Sequence, residues 1–169
     1  NCPIKMLIDK NYDTVYEIRI NGIGRHRNIA KKKTKVITIK PSKNICNILE
    51  LNHEKIKENI LLGYYDTLRV LKKYDGYRYT FTSTPNFIIK LLTRKISKNY
   101  MSRIKNFFKV KTDKEAVIKA LEYCMDYCQI NHYQIHNLTL ALKNIQDNYL
   151  DKLRDKNIIF NFIKKLRIF

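Results

Sequence analysis

The sequence predicts an α/β fold: a parallel-sheet segment over residues 1–82, followed by an all-helical appendage over residues 83–169. Three observations carry this. Helix, strand, loop, strand and helix signals follow one another through the first half, an order whose strands pair in parallel under covering helices. One long amphipathic stretch, Asn52 to Phe81, closes that half and joins it to the rest. Beyond Thr84 the β-branched runs stop and helical spacing remains.

Taken in order, Pro3 suits the first turn of a short helix capped by Asn1, with Ile4, Leu7 and Ile8 as its apolar face to about Lys10. Val15, Ile18 and Ile20 among β-branched neighbours read as a strand over Thr14–Ile20. Asn21 to Lys35 holds two glycines and six basic residues without a period and reads as an exposed loop. Val36–Ile39 is a second strand, ended by Pro41-Ser42, and Ile45 to Leu51 is an irregular connection. Within Asn52–Phe81, Ile56, Ile60, Tyr64, Leu68 and Leu71 share one helical face that needs a partner. Asn52 caps the start and Asp75-Gly76 supplies a stop. Gly63 lies inside the helix, where glycine costs about 1 kcal/mol against alanine, and so marks a bend or a close approach. Tyr77–Thr82 alternates aromatic and polar residues, as an edge strand or an extended turn does.

In the second half Ser83 or Thr84 caps and Pro85 opens one helix running to about Phe108, with Ile88, Leu92, Ile96, Tyr100, Ile104 and Phe107 along its face. Thr112-Asp-Lys-Glu115 has the spacing of a capping box, and Val117, Leu121, Cys124 and Cys128 stripe the next helix. Tyr133–Ile145 and Tyr149–Leu166 read as two more. No strand is expected past Thr84.

The charge is large, 34 Lys+Arg against 15 Asp+Glu, but evenly spread: 17 basic and 8 acidic residues in 1–84, 17 and 7 in 85–169. An even spread in a chain rich in Lys, Ile, Asn and Tyr reflects compositional bias and counts against nucleic acid as a partner. No stretch approaches the roughly 18 apolar residues of a membrane span. Four cysteines without a disulfide-type composition fit a reducing cytoplasm. The chain opens on Asn1-Cys2-Pro3 directly into a helical pattern, as a fragment of a longer protein would.

Several constellations invite a chemical reading. Cys124, Cys128, His132 and His136 recur every four residues with zinc-type ligands. On one continuous helix the outer pair would stand ~18 Å apart along the axis and ~120° around it, so one ion requires a sharp turn at Gln129–Asn131. Buried thiols and surface histidines are the simpler reading, with no metal or cofactor. Arg25-His26-Arg27 and Lys31-Lys32-Lys33 resemble an anion patch but lack interleaved aromatics. The Pro85–Phe108 helix sets Lys90, Arg94, Lys95 and Lys98 beside a wide apolar face, the composition of a helix docked on anionic lipid or of one packed on its own domain. Ser42, Ser83, Ser97 and Ser102 lack any G-x-S-x-G context, and no Cys–His spacing suggests a nucleophile.

Taken together, Asn1-Cys2-Pro3-Ile4-Lys5-Met6-Leu7-Ile8, Tyr16–Ile23, Ile39-Lys-Pro-Ser42, Asn47–Leu51 and Asn59-Ile-Leu-Leu-Gly-Tyr-Tyr-Asp-Thr-Leu-Arg-Val-Leu71 resemble the C-terminal part of patatin-like phospholipases of the clostridial type. The most specific piece is Leu62-Gly-Tyr-Tyr-Asp66-x-x-Arg69, similar to the family's L-G-Y-x-D-x-x-R segment. Order and spacing agree over residues 1–81, while 84–169 match the helical tails of some relatives only loosely. The resemblance implies a serine lipid acyl hydrolase with a Ser–Asp dyad. Its G-x-S-x-G, D-G-[GA] and oxyanion glycines are not in this sequence, so no catalytic residue carries over. Asn1 and Pro3 match the flank of the aspartate motif and would orient that loop. Implied partners are a phospholipid or other acyl-lipid substrate and an anionic membrane surface, with a cytoplasmic or peripheral-membrane location and an isolated chain that is inactive. Gly63 would pack tightly on the sheet, with Tyr64 and Leu68 buried. The alternative from the residues alone is a basic helical module that binds nucleic acid or another protein.

Overall fold

The computed structural model describes residues 4–20, 34–43, 45, 52–149 and 157–168. The chain is mixed α and β, mostly helical, and forms two compact units, Asn1–Lys72 and Lys73–Phe169.

The first unit follows the predicted order. Helix α1 (Ile4–Asp9) buries Ile4 and Ile8 against Val15 of strand β1 (Thr14–Ile18). Strand β1 pairs in parallel with β2 (Lys35–Ile39), Val15 opposite Val36 and Ile18 opposite Ile39. The alternation along β1 differs from the predicted one. Val15 and Glu17 face inward, so Tyr16, Ile18 and Ile20 fall on the opposite side of the pleat, where Ile18 is 73% exposed. Glu17 is tolerated inside because Thr38 Oγ1 donates to its carboxylate at 2.8 Å and the Arg19 guanidinium lies 2.8 Å from it.

Helix α2 (His53–Leu71) starts where expected, with Asn52 Oδ1 accepting from the Glu54 and Lys55 amides. It stops at Leu71, short of Asp75-Gly76, and Lys73 takes the left-handed turn at φ 53°. Its packing reverses the expectation. The buried residues are Leu62 and Asp66, while Ile56, Ile60, Tyr64 and Leu71 are exposed, Ile60 at 67% and Tyr64 at 56%. Leu68 is half-buried and a Cβ placed on Gly63 would meet nothing within 4 Å, so no close approach explains this glycine. The polar tie on this side is Asp66: its carboxylate accepts the Ser42 amide just past β2 and pairs with Arg69 of α2 itself, which sets the Leu62–Asp66 side of the helix against the strand.

In the second unit a loop from Asp75 to Phe81 closes on itself, with mutual amide–carbonyl bonds of 2.9 Å between its two ends. Gly76 makes the loop possible at φ 113°, where any Cβ would sit 2.1 Å from the Tyr79 carbonyl oxygen. Strand β3 (Thr80–Phe81) ends this loop.

The predicted helix from Pro85 to Phe108 is two helices, α3 (Asn86–Thr93) and α4 (Lys98–Phe108). Ser97 accounts for the break: its hydroxyl accepts from the Tyr100 amide and caps α4, while tightened bonds from Arg94 to Leu91 and from Ile96 to Thr93 end α3. Helix α5 (Asp113–Tyr127) carries the capping box of Thr112 and Glu115, and its stripe of Val117, Leu121 and Cys124 continues into Cys128, all four buried.

Instead of a helix from Tyr133, the chain forms strand β4 (Ile135–His136), parallel to β3, before α6 (Leu138–Asn148) capped by Asn137. The appendage is therefore not free of strands. Two residues suffice because β3 and β4 only tie the loop to α5's exit. Helix α7 (Ile158–Lys165), capped by an extended Asn157, begins later than predicted. Phe81, Leu92, Ile104, Leu121, Leu142, Phe160 and Phe162 make one core with their neighbours, each side chain worth about 1.5–3 kcal/mol on burial.

Candidate functional site

Two of the five stretches on which the resemblance rests, Ile39–Ser42 and Asn59–Leu71, meet in the first unit. The Ser42 amide, just past β2, donates to Asp66 Oδ2 at 3.0 Å, and the Arg69 guanidinium pairs with Asp66 Oδ1 one turn further along α2. Asp66 and Arg69 side chains are 4% and 10% exposed, so the pair is shielded from water. A serine beside an aspartate invites a nucleophile reading. The geometry denies it, because the bond runs through the Ser42 backbone N–H and its partner carboxylate is neutralised by a guanidinium. Asp66 fastens the helix to the strand end.

Asn1 and Pro3, expected beside a catalytic aspartate, lie outside the described residues, as do the basic loop at 25–33, Cys2, Cys46 and residues 47–51.

The four docking candidates are all exposed in the second unit, but on separate elements. Lys90 sits on α3 and Arg94 caps it, Lys95 lies in the turn, and Lys98 opens α4. At 100° per residue, Phe87, Lys90, Leu91 and Arg94 fall on one side of α3, opposite the buried Ile89 and Leu92. Phe87 is 60% exposed, so this short face combines an aromatic side chain with two cations. The apolar period of the sequence marks the inward residues of α3, and Phe87 carries no signal of its own because it falls outside that period.

The Cys–His series does turn sharply after Cys128, with Gln129 at φ 56° and the Ile130 amide bonded back to the Met125 carbonyl. The turn carries the histidines to other partners. His132 stacks on Tyr79 with ring centroids 4.2 Å apart and has Nε2 3.3 Å from Asp126. His136 lies against Tyr79 and Phe81, its Nε2 3.2 Å from the Asn131 carbonyl oxygen, and burial pushes its pKa down. Cys124 is fully buried, and burial with the neighbouring Cys128 pushes its thiol up to about 12. Among the described residues no group of three or more His, Cys, Asp or Glu could hold a metal ion.

The polar centre of this unit is Glu122, which no spacing singled out. Its Oε1 accepts from the amides of Tyr77, Arg78 and Tyr79 at 2.6, 2.9 and 3.1 Å. Beside it Asp126 receives the Tyr79 hydroxyl at 3.2 Å and pairs with Arg78. Asp75 closes the same loop from below, accepting the Thr84 amide at 2.6 Å and meeting Lys114 Nζ at 2.8 Å. Glu122 and Asp75 are engaged in holding backbone, and Asp126 in holding the side chains of Arg78, Tyr79 and His132.

No described helix is long and apolar enough to cross a membrane. Comparison of the chain with protein-family models, with curated proteins and with solved structures gives no match.

Proposed function

We propose that this chain is the C-terminal portion of a patatin-like lipid acyl hydrolase, with the nucleophilic serine and its aspartate on sequence outside these residues. The observation that carries the reading is the join of Ile39–Ser42 to Leu62–Arg69 through Asp66. Two stretches that resemble the family separately thus have one structural reason to occur together. The exposed face of β1, with Tyr16 and Ile18, adds support, because parallel strands ordinarily have both faces covered and a helix layered on that side of a larger sheet would cover it.

On this reading the second unit serves the substrate's surface. Phe87 and Leu91 insert at the level of the headgroups, and Lys90, Arg94, Lys95 and Lys98 meet anionic phospholipid at about 1 kcal/mol per cation. The partner is an acyl-lipid assembly, not a strand of nucleic acid.

Ester hydrolysis by the isolated chain is expected to equal background. Turnover that disappears on substituting a residue of this chain refutes the assignment. Vesicle binding is expected to rise with anionic lipid content and to fall when Lys90, Arg94, Lys95 and Lys98 become Gln; binding indifferent to both removes the docking role.

A further inference from the structure

A cleft of about 600 Å³ opens in the second unit, lined by Lys95 from the turn after α3, Lys143, Gln146 and Asp147 of α6, and the segment Lys164–Ile168 at the end of α7. Its volume lies within the range of small-molecule sites. Among the described residues, five cationic residues, Lys95, Lys143, Lys164, Lys165 and Arg167, line it with one acidic residue, Asp147, and the Lys165 ammonium also lies 5.0 Å from the centre of the Tyr100 ring.

The walls are tied together. Gln146 Nε2 donates to the Ile163 carbonyl at 2.7 Å and to the Leu166 carbonyl at 3.0 Å, fixing the end of α7 on α6. The Arg167 amide donates to the Leu92 carbonyl at 3.1 Å, fixing the following residues on α3. Leu166, buried, anchors this segment in the core. Backbone from three elements is thus held together at one opening, and the five cationic residues carried by it are exposed around that opening.

We propose that this cleft binds a small anion carrying two phosphate groups. A phosphate monoester contributes about −1.5 to −2 charges at neutral pH, so two of them match the lining's formal excess of four. The chemistry is shared by a bisphosphorylated lipid headgroup and by a free diphosphate. The cleft needs no hydrolytic step, so it stands or falls separately from the hydrolase reading.

The test uses the full chain and inorganic pyrophosphate in titration calorimetry. Lys143→Gln with Arg167→Gln should weaken binding about tenfold or more, the loss of two charged contacts. Lys90→Gln with Lys98→Gln removes the same charge outside the cleft and should leave affinity within about twofold of the parent. Asp147→Asn should strengthen binding, an opposite sign that misfolding cannot mimic. A second arm compares vesicles containing a phosphatidylinositol bisphosphate with phosphatidylserine vesicles of equal charge. Preference for the former assigns the lipid headgroup; no preference, with pyrophosphate still bound, assigns the free anion. The proposal is overturned if pyrophosphate does not bind, if both double variants lose affinity equally, or if single-stranded RNA is bound in preference with equal losses in both.

Discussion

Replacing Glu122 by alanine removes the one acceptor shared by the amides of Tyr77, Arg78 and Tyr79. A hydrogen bond to a charged group contributes about 1.5–3 kcal/mol, but the three do not weigh equally. Tyr77 and Arg78 are exposed, so water takes over their amides at small cost. Tyr79 is fully buried, and its stranded N–H costs about 1–3 kcal/mol. Loss of the side chain's own packing adds to this, while release of a buried carboxylate from its desolvation offsets part of it. The net expectation is a loss of about 2–4 kcal/mol, a large fraction of a domain's stability. Glu122→Gln keeps an oxygen where all three amides point and loses only the charge, so about 1–2 kcal/mol is expected. The assay is urea unfolding followed by far-UV circular dichroism. An alanine variant within about 0.5 kcal/mol of the parent, or a glutamine variant as damaging as alanine, refutes the reasoning.

Three further outcomes are expected. Asp66→Ala leaves the Arg69 guanidinium buried without its partner and frees the Ser42 amide, costing the first unit about 3 kcal/mol or more; exchange of the Ser42 amide as slow as in the parent would contradict it. Cys124, with its thiol held at about 12 by burial, should resist alkylation at mildly alkaline pH until the chain unfolds. Peptide mapping that finds it modified in the native state would count against the buried stripe. His136 has its pKa lowered by burial, so the unfolded chain binds the extra proton first. Stability should therefore fall as pH drops below the ordinary value of 6.5 and level off below the folded value, and His136→Gln should reduce that slope.

What the sequence made legible follows the range of the interactions involved. Caps act over three residues, so Asn52 and the Thr112–Glu115 box could be placed without a tertiary partner. The parallel pairing of β1 and β2 was legible from the helix, strand, loop, strand, helix order of the first half. Period alone could not say which side of α2 meets the sheet, because the tie of Asp66 to the Ser42 amide forms only in the fold and leaves no trace in the apolar spacing. The break at Ser97 was hidden by an unbroken apolar period, although serine is a known helix starter. Glu122 was illegible because its partners are amides more than forty residues away, and amides leave no signature in a sequence. The basic cleft was likewise unreadable: Lys95 was noticed, but Lys143 and Arg167 join it only through folding.

The outward stripe of α2 has a colloidal consequence. Ile56, Ile60, Tyr64 and Leu71 would pair readily with the same stripe on another copy, yet each copy carries a net charge of +19. Repulsion of that size reaches about 8 Å at physiological ionic strength and only about 3 Å in molar salt. Concentrated salt therefore brings the stripes within range of one another while strengthening their attraction, and light scattering should record growth of oligomers on raising salt. Ile60→Glu should abolish that growth.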